Sequence, residues 1–89
     1  MNEFAIRRVY RAEADRPLEG VRRGDEVVEL ADGRLRPRLK WEALVRELDH
    51  LPPEARLEAV EEAADFEAAV IDHLVQVRWE ARAVKRQAG

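Results

Sequence analysis

PEARLEAVEEAADFEAAVIDHLVQVRWEARAVKRQ, residues 53–87, is the stretch whose reading decides the architecture. After Pro53 it contains neither glycine nor proline, and Ala, Glu, Leu, Val and Arg dominate it, so nothing in it terminates a helix. About 35 residues rising about 1.5 Å each make a rod of about 52 Å. Such a rod is longer than a small domain is wide, and the rest of the chain must be arranged around it. Val60, Ala63, Val70, Leu74, Val77, Ala81 and Val84 recur at steps of three and four, interrupted only by Glu67, and Phe66, Ile71 and Trp79 widen the stripe. The spacing predicts an amphipathic helix with one face to bury. The portion from Val70 to Val84 reads as a seam for a partner, with Val70, Leu74, Val77, Trp79, Ala81 and Val84 as the interface.

Immediately upstream, Leu51-Pro52-Pro53-Glu54 breaks one helix and starts the next, with proline and an acid in the first turn. Before the break, Trp41, Leu44, Val45 and Leu48 sit at i, i+3, i+4 and i+7, which predicts a short helix within residues 39–51. His50 falls at its end, where a cation suits the helix dipole. This short helix, about 15 Å long, covers only the first third of the long one. The two tryptophans, Trp41 and Trp79, are expected to pack, with anchoring of an interface as the alternative.

Residues 1–38 read as β-rich. Phe4, Ile6 and Val9 alternate imperfectly with Arg7, Arg8 and Arg11, as in a strand with arginines on its wet side, although a short helix fits the same residues. Ala12 to Gly20 is a connector. Asp32-Gly33, between Glu26–Leu30 and Arg34–Arg38, signals a hairpin spanning residues 26–38. Pro37 cannot donate to a ladder, so the returning strand belongs at an edge or ends there. The expected fold is α+β in a single domain of residues 1–89: an antiparallel sheet of about three strands, a short helix, and a long helix at residues 53–87.

Composition limits the chemistry. The chain has 89 residues, 39% charged and 46% hydrophobic, with net charge -3, and it has no cysteine, serine or threonine. Covalent catalysis through a hydroxyl or thiol is therefore excluded apart from the phenol of Tyr10. A domain this small without disulfides is often stabilised by association. Arginine outnumbers lysine fourteen to two, a thermophile-like or GC-rich usage. No apolar run approaches membrane-spanning length, and the Met1-Asn2-Glu3 opening lacks the layout of a secretory signal, so a cytoplasmic location is expected.

Charge is segregated. Residues 1–40 carry +2, residues 41–72 carry -8 and residues 73–89 carry +3. The macrodipole favours acids at the start of the long helix and bases at its end. Yet Glu58 with Glu62, and Glu61 with Asp65, are like charges at i,i+4, each pair costing about 0.2 to 0.5 kcal/mol. An antiparallel copy would bring Arg78 and Arg82 toward Glu58, Glu61, Glu62 and Asp65, pairing that selects orientation more than it stabilises.

Two segments carry resemblances to known families. The run Leu18-Glu19-Gly20-Val21-Arg22-Arg23-Gly24-Asp25-Glu26-Val27 through Asp32-Gly33-Arg34-Leu35 resembles the second half of the swapped-hairpin DNA-binding domains of the AbrB type. The resemblance implies a transcriptional regulator or antitoxin, with Arg7, Arg8, Arg11, Arg34, Arg36 and Arg38 as candidates for nucleic-acid contact. The first half of that pattern is absent from residues 1–17. Glu58-Ala-Val-Glu61 and Glu62-Ala-Ala-Asp65 resemble the elements with which MazG-type nucleotide pyrophosphohydrolases hold magnesium, although in that family the two elements lie on different helices. His73, at the edge of the apolar stripe, and His50 give no zinc spacing.

The leading expectation is a small, non-catalytic, cytoplasmic protein-interaction or regulatory module without cofactor, self-associating as a homodimer through its long helix, with another protein as the alternative partner and no membrane. The second is a DNA-binding, antitoxin-like regulator. The third is a magnesium-dependent nucleotide hydrolase.

Overall fold

The computed structural model describes the backbone of residues 4–88 and the side chains of residues 4–83. Strands β1 (Ile6–Arg11), β2 (Glu26–Leu30) and β3 (Leu35–Pro37) form an antiparallel sheet in the order β1-β2-β3. Helices α1 (Trp41–Leu48) and α2 (Pro53–Ala88) follow. The α+β arrangement expected from the sequence is the one observed. The Cα atoms span 55 × 32 × 24 Å, the long dimension matching the length of α2.

Residues 6–11 are strand rather than helix, and their imperfect alternation has a structural cause. A register irregularity between Ile6 and Arg8, a β-bulge, adds one residue to β1 opposite β2. Ile6 and Val9, three apart, thereby pack against the same cluster of Val28, Leu30, Phe66 and Val70. Without the bulge, one of the two would face away from α2.

The β2–β3 hairpin turns through three residues. Gly33 N–H donates to Leu30 O at 2.9 Å, Leu30 N–H to Arg34 O at 2.9 Å, and Gly33 adopts φ of 92°. This is the turn followed by a glycine bulge that three-residue hairpins favour, and the positive φ is the reason for glycine. β3 is an edge strand ending at Pro37, where the missing N–H costs no ladder bond.

Both faces of the sheet are covered. α2 lies on one. On the other, Val27 packs with Ala12 and Val21, all buried, supported by Tyr10 and Leu35. Val21 is delivered by a connector more ordered than its polar sequence suggested. The backbone of Arg16 exchanges both hydrogen bonds with Val21 around a 3-10 turn at Pro17–Glu19. Asp15 accepts from Arg23 N–H at 2.8 Å, and Asp25 from Arg22 N–H at 3.1 Å.

α1 is held at its end by Arg56, whose Nε donates to the Leu48 and Leu51 carbonyls at 2.9 and 3.0 Å. Leu48 O also accepts from Leu51 N–H at 3.1 Å, so Arg56 adds a charged donor to the carbonyls exposed where α1 ends. Of its apolar side only Leu44 is buried, while Trp41 and Val45 are more than half exposed.

Candidate interaction surface

The functional question turns on what each side of α2 meets. One side is the scaffold. Ala63, Phe66, Ala69 and Val70 are buried, and His73 is half-buried. Phe66 meets Phe4 edge-on, ring centroids 5.2 Å apart, and the Arg36 guanidinium lies 4.1 Å from the Phe66 centroid on its way to Glu62 at 2.6 Å. Glu67, an interruption in the apolar series, is on this side as well. Its Oε1 accepts from Arg38 Nη2 at 2.9 Å and Nε at 3.3 Å, while its buried Oε2 has no hydrogen-bond partner. Glu67 and Glu26 together raise the Arg38 pKa further above its ordinary value.

Past His73 the cover ends. Leu74 is 36% exposed, Val77 48%, and Ala81 is also exposed. The side chain of Val84 lies outside the described residues.

The expected seam needs two corrections. Val70 is fully buried among Val28, Leu30 and Phe66, so it belongs to the subunit core and offers nothing to a partner. Trp79 does not share a face with Val77: two residues apart on a helix means about 200° around the axis. Nor do the tryptophans pack within the chain, being 55% (Trp41) and 68% (Trp79) exposed.

A second apolar stripe, not evident from the spacing of the first, runs along the side of α2 that faces away from the sheet. Leu57, Val60, Ala64, Ala68, Ile71 and Val75 follow at steps of three, four, four, three and four, and all are exposed. Trp79 continues it by one more step of four. These steps average close to the helical period, so the side chains stay on one side for about 33 Å. Val60 belongs to this stripe and not, as its spacing suggests, to the stripe of Ala63. Among the described residues, nothing covers it.

The charged candidates divide. Glu62 is taken by Arg36, while Glu58, Glu61 and Asp65 are exposed. Arg78 and Arg82 are exposed and form no ion pair with the described residues. The six arginines do not gather into one free cationic patch. Arg7 and Arg8 both bind Glu29, Arg34 binds Asp32, Arg36 binds Glu62, and Arg38 bridges Glu26 and Glu67. Arg11 donates to the Gly24 carbonyl, and Arg8 also lies over the Tyr10 ring. Burial would push the Glu29 carboxyl up, but Arg8 and Arg7 outweigh it and hold it below the usual range.

Among the described residues, no three histidine, aspartate or glutamate side chains gather as a metal site would require. Glu58, Glu61, Glu62 and Asp65 stand along one helix instead of converging from two. A cleft of about 340 Å³ lies between α1, the end of β3 and the first turns of α2, walled by Leu39, Leu44, Leu51, Ala59 and Ala63. No helix of the described residues is long and apolar enough to cross a membrane. Comparison with known proteins finds no matching family model, no matching curated protein and no matching solved structure.

Proposed function

We propose that this chain is a small, cytoplasmic, non-catalytic protein-interaction or regulatory module that self-associates through α2. The observation that carries the reading is the reach of α2 beyond its own subunit. The sheet buries it as far as Val70, yet the helix continues to Ala88 with Ile71, Leu74, Val75, Val77 and Trp79 exposed. An isolated helix of about 15 residues is marginal in water. A second copy supplies the apolar surface that would hold this segment helical.

Light scattering at two salt concentrations, on protein freed of nucleic acid, tests the proposal. The expected mass is twice the 10.3 kDa of one chain. A mass of one chain throughout the micromolar range would refute self-association. The neutralised arginines of the sheet lend no support to the DNA-binding reading, and the unconverged carboxylates lend none to the hydrolase.

A further inference from the structure

Resting on the proposal of self-association, we infer that the contact is made by the outer stripe of α2, Leu57 to Trp79, lying antiparallel on the same stripe of a second copy with Ala68 at the dyad. Three observations lead to this face and this direction.

The first is access. The sheet and α1 both occupy the inner side of α2 from its first turns to His73, leaving only the short run from Leu74 onward open there. A second rod cannot lie lengthwise on that side without displacing the sheet. The outer side is open along its whole length, and its apolar stripe is about three times as long as the Leu74 to Ala81 run.

The second is shape. Leu57 and the largest side chain of the stripe, Trp79, stand at its ends, and Ala64 and Ala68 stand near its middle, with Ile71 the next residue along the stripe. In an antiparallel pair centred on Ala68, the partner's Trp79 lies level with Leu57, and the two Ala68 residues meet. Small residues at the crossing let the backbones approach to the close end of the usual 8–10 Å range. A parallel pair would stack Trp79 on Trp79 and Leu57 on Leu57, with a gap at the alanines.

The third is charge. From Pro53 to Asp72, seven carboxylates face Arg56 alone, and beyond His73 the bases Arg78, Arg82, Lys85 and Arg86 outnumber Glu80. A parallel copy sets acid beside acid. The antiparallel copy lays Arg82 level with the partner's Glu54, and Arg78 level with the partner's Glu58. This sets the basic end of each helix beside the acidic first turns of the other, which selects direction more than it stabilises.

The absence of cysteine makes the test direct. Single variants Ala68→Cys, Ala81→Cys and Leu57→Cys are oxidised at a concentration where the wild type is dimeric and resolved without reductant. The inference predicts a disulfide dimer for Ala68→Cys and none for the other two, because only Cα atoms within about 7 Å can be bridged. A dimer from Ala81→Cys but not Ala68→Cys would place the contact on the inner side, overturning this inference while leaving self-association standing. A dimer from Leu57→Cys would make the pair parallel and overturn it equally. A wild type that stays monomeric would remove the proposed function together with the inference.

As a check that does not depend on cross-linking, Arg78→Glu with Arg82→Glu should raise the dimer dissociation constant on the order of tenfold. Adding Glu54→Arg and Glu58→Arg should restore it. An unchanged constant in the first variant would refute the antiparallel direction.

Discussion

Replacing Phe66 by alanine should come close to unfolding the protein. The ring is 1% exposed and sits where α2, β1, β2 and β3 meet, in contact with Phe4 and under the Arg36 guanidinium. Phe→Ala in a core costs about 3 to 5 kcal/mol, combining lost transfer energy with the cavity left behind. The edge-on pair with Phe4, about 0.5 to 1.5 kcal/mol, and the Arg36 contact, about 0.5 to 1 kcal/mol at a partly exposed site, place this position in the upper part of that range. A chain of this length is stabilised by roughly 4 to 13 kcal/mol in all, so one substitution removes between a third of the total and all of it. The assay is urea unfolding followed by far-ultraviolet circular dichroism at one fixed protein concentration, since association would make the midpoint concentration-dependent. Phe66→Leu, which keeps most of the volume, should lose less than half as much. A loss below about 1 kcal/mol for Phe66→Ala would refute the docking of α2 onto the sheet through this residue.

Three further outcomes follow from the same contacts. Arg38→Met strands the inward Glu67 carboxylate and should cost about 1 to 3 kcal/mol, whereas Arg38→Met with Glu67→Met should recover much of that in urea unfolding, since neither charge remains; a double variant worse than the sum of its singles would contradict the pairing. The Arg22 N–H and then Lys40 hold the Asp25 carboxyl below its ordinary range, and the Arg34 N–H does the same for Asp32. Lowered folded pKa values give stability that is full above the unfolded value near about 4 and is lost as pH falls through the folded value. Asp25→Asn should therefore flatten the acid limb of a stability-against-pH curve below about pH 4, and an unchanged limb would count against the contact. In Trp41→Phe protein the remaining Trp79 should emit as a solvated indole when dilute and shift to the blue as copies associate, and a spectrum constant across the association range would show that Trp79 stays wet.

The elements were legible because their signals are local. A helix of this length needs only uninterrupted propensity, the short helix its i, i+3, i+4, i+7 spacing, and the hairpin its Asp-Gly. What the sequence concealed lies where a signal is shared between distant residues or between adjacent alanines. Glu67 reads as a break in the apolar stripe because its partner, Arg38, is 29 residues away. Ala63 and Ala64 are indistinguishable by composition, yet one is buried under the sheet side and the other lies on the outer stripe. An alanine-rich helix can thus carry two apolar stripes that a single period merges, so Val60 and Trp79 share a spacing with Val77 but not a face. Val21 anchors the second face of the sheet as one apolar residue among charged neighbours, with no periodicity to announce it. The break in alternation between Ile6 and Val9, by contrast, was visible, and the β-bulge explains it.

The central claim, that α2 projects beyond its own sheet in order to meet another copy, is tested most directly by amide hydrogen exchange across residues 71–83 at a low and a high protein concentration. The account predicts fast exchange in this segment when dilute and marked protection when concentrated, with the sheet and the first turns of α2 slow in both. Equal exchange at the two concentrations, in a sample whose mass stays that of one chain, would contradict it.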